Sequence, residues 1–487
     1  MKKILAFGLA VATAVTMVGC AAQTPGGNVT LPDEEPSTLL ATELAAPVIP
    51  EMAQLPQEMD YYDEKTGEWD DEAWTAANEA WYADYEARTE NMDATMDGLS
   101  ERFLPMMSAL LAGSNGENRI CSPLNVYMAL AMLAECTDGE SRTQILDALG
   151  EDDIEALRAR AKALWFENSW DDGRVTSLLA NSLWLRNGTE YDQATMDRLA
   201  TDYFASSYSG DMGSEAYNEA LRSWINKNTG DLLTEQAAEL GFDADTVLAL
   251  ASTIYYRASW ADKFDPSATT EDTFHAASGD VTCEFMHSSE NGDVYYGDGF
   301  SAIGLPMDGS GTMWLLRPDE GKTPEDLLQS DEALSFLVAN GGWSQTQYAK
   351  IVLSLPKFDV SSALDLMDTL KALGITDVLD AETADFTPLG LDESLVLSKA
   401  EHAARVKIDE DGCEAAAYTV LGVEGMALIE EPETVDFTLD RPFLFVLTGD
   451  RRRAALRWRS QSAEWIMDHK TPSPVIWRGR SFIAYSS

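Results

Sequence analysis

Apolar segments of helix length and of strand length follow one another along this chain in an irregular order, which limits the folds open to it. The periodicity predicts helices and strands in turn over residues 124–135, 141–149, 178–185, 217–229, 247–256, 351–355 and 443–448. A doubly wound sheet would require regular alternation of strand and helix. The sequence therefore favours one large α+β domain that begins near residue 91.

The composition and the spacing of polar residues exclude several classes of function. With 34 Lys and Arg against 83 Asp and Glu, the net charge is −49, which argues against nucleic acid as a partner. The 5 cysteines and 4 histidines stand in no CxxC or HExxH arrangement, so we expect neither a metal site nor a disulfide framework. A GxSxG nucleophile elbow is also absent from the sequence. We therefore expect no cofactor, and a binding or inhibitory protein rather than an enzyme.

The N-terminus has the features of an export signal. Lys2 and Lys3 precede an apolar run over residues 4–18 that is too short to span a bilayer, and Cys20 follows closely. Residues 1–20 resemble a bacterial lipoprotein signal, in which Cys20 carries the lipid; the alternative is an ordinary secretory signal. Both interpretations predict an exported protein, and the first predicts a lipid anchor that holds the domain at the bacterial cell surface.

Two further segments precede the main domain. The acidic, Pro-rich stretch 21–60 offers too little apolar surface to fold, so we predict that it is a tether. In the stretch 61–90, aromatic residues recur at helical spacing among Asp and Glu, namely Trp74, Trp81, Tyr82 and Tyr85. We predict an acidic helix there. It either docks on the chain's own domain or offers a surface for a wall polymer or another protein.

Seven motifs of the main domain occur in the order typical of one protein family. They are SPLNVYMALAMLAECTDGESRTQILDALG from Ser122, NSLWLRNG from Asn181, INKNTGDLL from Ile225, IYYRASWADKFDPSATTEDTFH from Ile254, LPKFDV from Leu355, HAARVKIDEDGCEAAAYT from His402 and DRPFLFVLTGD from Asp440. Over residues 91–450 the chain resembles the serpins. The resemblance implies a monomeric α+β serpin-like fold with three β-sheets, about nine helices and an exposed reactive-centre loop.

The segment after Gly412 is able to form a strand as well as a loop. Side chains of a strand alternate between its two faces, and one face of residues 413–425 would carry only small or apolar side chains: Cys413, Ala415, Ala417, Thr419, Leu421, Val423 and Gly425. No Pro interrupts this segment, and Gly412 gives the backbone before it freedom to turn. A segment with two stable arrangements is what a loop-insertion mechanism requires.

The resemblance implies a suicide-substrate mechanism for this loop. An extracellular serine or cysteine protease cuts the loop, and the hinge enters the main sheet before the acyl-enzyme is hydrolysed. The hinge residues are then Glu410, Gly412, Cys413, Glu414, Ala415, Ala416 and Ala417. The family's spacing places the cut at Met426-Ala427, with Leu428 as the next candidate. An unbranched Met426 suits an elastase-like, chymotrypsin-like or subtilisin-like protease.

The resemblance also assigns the residues around which the sheet opens. Ser122, Ser252 and His402 match the family's polar cluster; Ser252 stands in place of an Asn, and His402 is alternatively an ordinary core histidine. Trp260 matches the aromatic residue beneath the upper end of the insertion site. Cys413 and Tyr418 depart from the family's pattern, and the alternative function that follows is a non-inhibitory, serpin-like surface scaffold.

The basic C-terminal tail differs from the rest of the chain. Residues 451–487 hold 8 basic and 2 acidic side chains, and the strand with which the family ends is missing from them. A one-nucleotide shift of the reading frame from residue 451 permits the sequence Leu-Phe-Val-Gly-Val-Val-Asn-Pro within residues 455–463. We therefore expect an aberrant tail that leaves the domain without a core strand. A non-functional, frameshifted product is the further alternative.

Overall fold

The computed structural model describes most of the main domain and parts of the segments on either side of it. The described residues are 41–50, 56, 58–63, 65–66, 68–89, 99–111, 117–171, 175–308, 311–339, 341–390, 395–413, 432–449 and 480–486. They form helices and strands in mixed order, as the irregular sequence pattern predicts. Each predicted segment from 124–135 to 443–448 lies in an element of the predicted type.

The described residues contain 11 α-helices, and ten of them lie in the main domain, where about nine are expected. They are α1 Asp71–Thr89, α2 Leu99–Leu111, α3 Pro123–Cys136, α4 Gly139–Leu149, α5 Ile154–Asn168, α6 Gln193–Asp202, α7 Glu215–Asn228, α8 Thr234–Glu239, α9 Pro324–Leu328, α10 Asp331–Ala339 and α11 Met367–Ala372. Three of these helices, α8, α9 and α11, have only 5 or 6 residues. Helices this short have little apolar periodicity from which to be predicted.

The strands fall into three sheets. In chain order they are β1 Thr42–Ala45, β2 Tyr62–Asp63, β3 Glu68–Trp69, β4 Arg119–Cys121, β5 Trp170–Asp171, β6 Val175–Arg186, β7 Ala205–Gly210, β8 Leu248–Ser259, β9 Thr270–Ala276, β10 Gly279–Gly297, β11 Phe300–Pro306, β12 Thr312–Pro318, β13 Thr346–Pro356, β14 Phe358–Asp365, β15 Glu401–Ile408, β16 Gly412–Cys413, β17 Thr434–Thr438, β18 Phe443–Gly449 and β19 Arg480–Ser486. The first sheet has 8 strands, the second has 9, and β2 with β3 makes a separate pair.

The first sheet has the order β1-β7-β6-β8-β16-β15-β14, with β5 also paired to β6. Its central strand β6 is buried on both faces, so neighbouring side chains enter different clusters: Leu183 packs in the main core, and Trp184 packs against Tyr217 and Phe242 of the opposite face. This explains why the strand is a nearly continuous apolar run rather than an alternating one. The second sheet follows the order β17-β13-β10-β11-β12-β18-β19-β4, and β9 pairs with β10.

Helix α3 crosses the core and is buried along almost its whole length. Ser122 caps its first turn by accepting a hydrogen bond from the Asn125 backbone N–H at 3.3 Å, and Pro123 occupies the first helical position, where a missing N–H costs nothing. Small residues such as Ala131 and Ala134 allow other elements to pack closely against it. The helix therefore brings Ser122 to a fixed place under the first sheet.

A buried ion cluster holds the other end of α3. Glu135 is 1% exposed and accepts hydrogen bonds from Arg158 Nη2 at 2.7 Å, Arg158 Nε at 2.8 Å, Arg198 Nε at 2.6 Å and the Tyr203 hydroxyl at 3.1 Å. Burial acts to raise the pKa of Glu135, but the hydrogen bonds and charges of Arg158 and Arg198 bring that pKa below its usual value. The carboxylate therefore stays ionised and ties α5 and α6 to α3.

Part of the segment 21–60 forms a strand, which differs from the prediction that this segment is an unstructured tether. Within it, Thr42–Ala45 forms β1 and pairs antiparallel with the edge strand β7, and the Val48 N–H donates to Ala200 O at 2.9 Å. The edge of β7 offers unpaired backbone groups, and a short extended segment satisfies them without a core of its own. Helix α1 follows in the stretch 61–90, with Trp81 7% exposed and Trp74 packed edge-on against Trp69.

The prediction that the tail costs the domain a core strand is wrong for this structure. Within the basic tail, Arg480–Ser486 forms β19, which pairs antiparallel with β18 over 443–449 and with β4. The sequence of β19 includes Phe482, Ile483 and Tyr485, residue types that favour strands. Because β18 and β4 each present an edge that needs a partner, a segment unlike the family's final strand takes that position.

We predict that Glu135→Gln destabilises the domain by about 3–5 kcal/mol, because it leaves buried Arg charges uncompensated. Chemical unfolding followed by far-UV circular dichroism measures this loss. Glu155→Gln is the matched control. Glu155 pairs with the same Arg158, but its side chain is at the surface and 76% exposed. The control should change stability by less than about 1 kcal/mol. Equal losses from both variants would contradict the assigned role of Glu135.

Candidate functional site

A two-residue strand, β16, fills one end of a gap in the first sheet. It lies between β8 and β15 and runs antiparallel to both, so that Cys413 pairs with Ala258 on one side and with Ile408 on the other. Among the described strands no ladder joins β8 directly to β15. Neighbouring strands lie about 4.8 Å apart, so two strands that flank a third are about 10 Å apart. We call the end of the sheet that holds β16 the hinge pole and the opposite end the far pole.

Next to β16 the gap continues as a small, partly open cleft. Its lining is mostly apolar, with two cationic side chains at the rim, and comprises Leu232, Ile254, Tyr256, Arg405, Val406, Lys407 and Cys413. Along β15 the side chains alternate strictly: His402, Ala404, Val406 and Ile408 are buried, while Lys407 is exposed. The cleft therefore suits a strand whose inward side chains are small or apolar.

Gly412 is the residue that permits β16 to enter the sheet. Its φ is 152°, a conformation that favours glycine, and a Cβ atom there would lie 2.3 Å from Ala258 O and 2.7 Å from Ser259 Cα. No side chain fits that space without moving the backbone of β8. Sequence reasoning predicted Gly412 as the turning point of the hinge, and in the structure the turn between β15 and β16 ends at this residue.

Three polar side-chain contacts fasten this turn to neighbouring elements. Thr269 Oγ1 donates to Glu410 Oε1 at 2.8 Å, and Lys357 Nζ lies 3.2 Å from Glu410 Oε2. Lys263 Nζ lies 2.9 Å from Asp411 Oδ1. Burial acts to raise the pKa of Glu410, but the Thr269 and Lys357 bonds leave that pKa below its usual value. Glu410 thus belongs to the turn at the hinge pole, and the strand that enters the sheet begins after it.

Trp260 supports the same turn from beneath. The side chain is 2% exposed, its indole N–H donates to Asp409 O at 2.9 Å, and its backbone N–H donates to Asp411 O at 3.0 Å. Phe264 packs edge-on against the indole, and its own N–H donates to Glu410 O. A buried Trp needs a partner for its N–H, and here that partner is the turn itself. The structure therefore places Trp260 beneath the turn at the hinge pole.

Cys413 is buried at the first position of β16 whose side chain points into the domain. Its side chain is 3% exposed, and it belongs to an apolar cluster that includes Tyr256, Ala258, Val406 and Ile408. A thiol behaves as a small hydrophobic group in such surroundings. The departure from the family's usual small hydroxyl residue is thus compatible with a buried hinge.

A second group of site residues lies under the gap, nearer its middle. The Ser122 N–H donates to His402 Nε2 at 2.9 Å, and the Asn125 amide Nδ2 donates to Ser252 Oγ at 3.0 Å. Because Asn125 also donates its backbone N–H to Ser122 Oγ, it connects β8 to the start of α3. Ser252, which stands where the family has an Asn, thus has Asn125 as a side-chain partner. Asn125 belongs to the motif that starts at Ser122, but the sequence alone does not identify it as a site residue.

His402 acts as a neutral hydrogen-bond acceptor in this group. It is 6% exposed, and burial lowers the pKa of its imidazole from 6.5 to about 4. The Ser122 bond requires an unprotonated Nε2, which agrees with the direction of this pKa shift. His402 lies on β15 beside the gap in the first sheet, and it is buried as a core histidine would be.

Several predicted site residues lie outside the described part of the chain. These are Cys20, Glu414, Ala415, Ala416, Ala417, Tyr418, Met426, Ala427 and Leu428. The structure brings together the remaining ones in two groups: Glu410, Gly412, Cys413 and Trp260 at the hinge pole, and Ser122, Ser252 and His402 under the gap. Thr269, Lys263 and Lys357 complete the first group. Their sequence positions carry no local signal, because each meets the turn only in the folded chain.

We predict that Gly412→Ala displaces β16 from the gap. Local strain of about 1–3 kcal/mol would raise the exposure of Cys413, so its alkylation by iodoacetamide should accelerate by about tenfold or more. Gly279→Ala is the control, because Gly279 also has a positive φ, 127°, but nothing within 4 Å of its Cβ position. Peptide mass spectrometry separates Cys413 from the other thiols. An unchanged rate at Cys413 would refute the steric argument.

We also predict that His402 makes stability depend on pH. Its pKa is about 4 in the folded chain and 6.5 when unperturbed, so the unfolded chain binds more protons between those values. Stability should therefore fall as the pH decreases from 6.5 to 4, with His402 contributing on the order of 3 kcal/mol. The destabilisation by His402→Gln, measured as a shift in thermal midpoint, should shrink over this range. His275→Gln, at an exposed histidine, should keep the wild-type trend; a constant effect of His402→Gln would oppose the assignment.

Comparison with known proteins gives this arrangement a family. A family model described as "Serpin (serine protease inhibitor)" matches residues 101–457. Serpin-ZX of Arabidopsis thaliana is 29% identical over 349 residues, which cover 69% of this chain and 89% of the relative. Hibernation-specific plasma protein HP-55 of Tamias sibiricus is 30% identical over 369 residues, covering 74% and 86%. The structure of Arabidopsis AtSerpin1 in its native stressed conformation matches with a TM-score of 0.63 and 26% identity, covering 80% of this chain and 98% of that one.

These matches confirm the predicted α+β, serpin-like fold with three sheets. Within the described ranges, no helix is long and apolar enough to cross a membrane, and no group of His, Cys, Asp and Glu side chains is arranged to hold a metal ion. The family model covers well over half of the sequence, and its match includes both groups of site residues. The chain therefore belongs to the serpin family of serine protease inhibitors.

Proposed function

We propose that this serpin is a suicide-substrate inhibitor of extracellular serine proteases, which acts by cleavage and insertion of the loop after Cys413. The observation that carries the proposal is β16, which already occupies the first positions of a strand between β8 and β15. Serpins are protease inhibitors rather than enzymes, so the site is expected to trap a protease and to catalyse nothing itself. A cysteine protease is the second target class that the same mechanism would accept.

The register of β16 predicts where each following residue would lie after insertion. Cys413 pairs with Ala258 and Ile408, so Ala415 would pair with Tyr256 and Val406 two positions further on. In the same register, Thr419 would come opposite Ser252 and His402. Alternate residues from Cys413 onwards would thus face the buried side, and the small side chains predicted for that face suit it.

Strand pairing on both sides of the gap supplies the driving free energy. Each hydrogen bond in a ladder contributes about 1 kcal/mol net, and a central strand of seven residues makes on the order of a dozen. An intact loop is tethered at both ends, so it cannot deliver these residues to the gap without strain. Cutting the loop releases that constraint, and the insertion then competes with hydrolysis of the acyl-enzyme. The matched AtSerpin1 structure carries the description "native stressed conformation", which supports a similar stored free energy here.

The proposed reactive bond is Met426-Ala427, with Leu428 as the next candidate. The protease nucleophile would form an ester with the Met426 carbonyl and release the amine of Ala427. An unbranched, apolar side chain at this position fits elastase-like, chymotrypsin-like or subtilisin-like enzymes. We place the protein at the bacterial cell surface as a monomer, anchored through lipid on Cys20, on the strength of the N-terminal sequence.

We predict that the soluble form from Ala21 onward forms an SDS-stable adduct with an elastase-like, chymotrypsin-like or subtilisin-like protease, and that mass spectrometry finds Met426 at the ester. Ala415→Glu should abolish this adduct and yield cleaved serpin instead. Its carboxylate would enter the gap beside Tyr256 and Val406, which are 4% and 3% exposed, and an unpaired buried charge costs several kcal/mol.

Ala416→Glu is the matched control, since it adds the same charge one residue further on. By the register it would face outward near Arg405, so adduct formation should persist. Equal adduct yields from the two variants would contradict the register. Cleavage of the wild-type loop without any adduct would contradict the inhibitory function.

A non-inhibitory scaffold is the second candidate, and Tyr418 is the observation that favours it. The register places Tyr418 opposite Thr253 and Ala403, and Thr253 is only 7% exposed on that face. A large side chain entering there would have to displace its neighbours. A rise in the thermal midpoint after loop cleavage would show that insertion occurs and would exclude this candidate.

A further inference from the structure

The N-terminal strand enters the first sheet at the far pole. Strand β8 runs towards the hinge pole, where Ser259 pairs with Gly412. Its neighbour β6 is antiparallel to it, so Leu185 lies at the far pole opposite Leu248. Strand β7 is parallel to β6, and Leu185 pairs with Ser209 near the end of β7.

The pairing of β1 with β7 shows where the N-terminal part of the chain joins the sheet. Thr42 pairs with Ser209, while Ala45 pairs with Ser207 further from the far pole. The polypeptide therefore arrives at the far pole from the N-terminal side and runs towards the middle of the sheet. The chain therefore joins β1 at the pole opposite β16.

The end of an inserted loop reaches the same pole. If the register of Cys413 with Ala258 continues, Val423 comes opposite Leu248, the first residue of β8. Met426 follows three residues later, beyond the end of the strand. The inserted strand and β1 are separated by β8, β6 and β7, which amounts to four strand spacings or about 20 Å.

We propose that the segment between Cys20 and Thr42 is a spacer for the trapped protease, which ends up between the domain and the membrane. This inference rests on the proposed inhibitory function and on the anchor at Cys20. The loop would face away from the membrane while it is intact. A protease joined to Met426 would then move to the membrane side when the loop inserts, and it would need room there.

The length of the segment matches that requirement. The segment 21–41 separates Cys20 from Thr42 and reaches at most about 70 Å when fully extended. A protease of about 230 residues has a radius of gyration near 17 Å, which corresponds to a diameter of about 45 Å. A spacer of only seven residues would reach about 25 Å, which is less than that diameter.

The test uses the lipidated protein in phosphatidylcholine vesicles, with and without deletion of residues 24–37. We expect the deletion to reduce adduct formation on vesicles by about tenfold or more, with cleaved serpin produced instead, because too short a linker cannot span the required distance. The same deletion in the soluble form from Ala21 onward should leave adduct formation unchanged. Refilling the deletion with an equal length of Gly and Ser should restore trapping on vesicles.

The outcomes distinguish this inference from the proposed function. Absence of adducts in the soluble wild type would contradict the inhibitory function itself. If the soluble form makes adducts and the shortened, anchored protein makes them equally well on vesicles, only the spacer role is overturned. Loss of trapping in the refilled variant would also overturn it, since length would then not be the deciding property.

Energy transfer gives an independent readout of position. A fluorophore on the protease and an acceptor lipid should show low transfer when a protease lacking its catalytic nucleophile binds the intact loop. Transfer should rise when the active protease forms an adduct with the full-length anchored serpin, because the distance then falls within the 70 Å reach of the spacer. Equal or lower transfer in the adduct would overturn the inference.

Discussion

The separation of β8 from β15 is the constraint around which the first sheet is organised. Both strands are central, yet only Gly412 and Cys413 lie between them among the described residues. A central gap leaves backbone hydrogen-bonding capacity inside a sheet, which is unfavourable unless a strand is available to fill it. The surrounding residues are those needed to hold such a state: a glycine that fits against β8, a fastened turn, and a polar group beneath the opening.

Helix α3 connects this gap to the rest of the core. Its first turn carries Ser122 and Asn125, which bond to His402 of β15 and to Ser252 of β8 on the two sides of the gap. Its last turn carries Glu135, held by Arg158 and Arg198. Movement of β8 relative to β15 therefore changes the bonds at one end of a helix whose other end is fixed by a buried ion cluster.

Sequence reasoning succeeded where the determining pattern was local. The inward position of Cys413 follows from alternation within one continuous segment, Gly412 follows from the resemblance and its backbone freedom, and α3 follows from its own apolar run. It failed where the determinant was distant. Asn125 meets Ser252 across 127 positions of sequence, and β1 has only 4 residues, whose conformation depends on the edge of β7. Strand β19 likewise owes its place to the strands on either side of it.

Strand β1 also affects whether copies of this protein associate through the edge of the first sheet. Without β1, the edge of β7 would present free backbone groups to any extended segment of a neighbouring chain, which is a common route to aggregation. As the outermost strand, β1 is a poor template: it is short, it carries Glu43, and Pro47 and Pro50 follow it. A proteolytic cut directly after Ala45 would therefore separate β1 from the domain and convert a protected sheet into one prone to intermolecular strand addition, even though the gap between β8 and β15 remained unchanged.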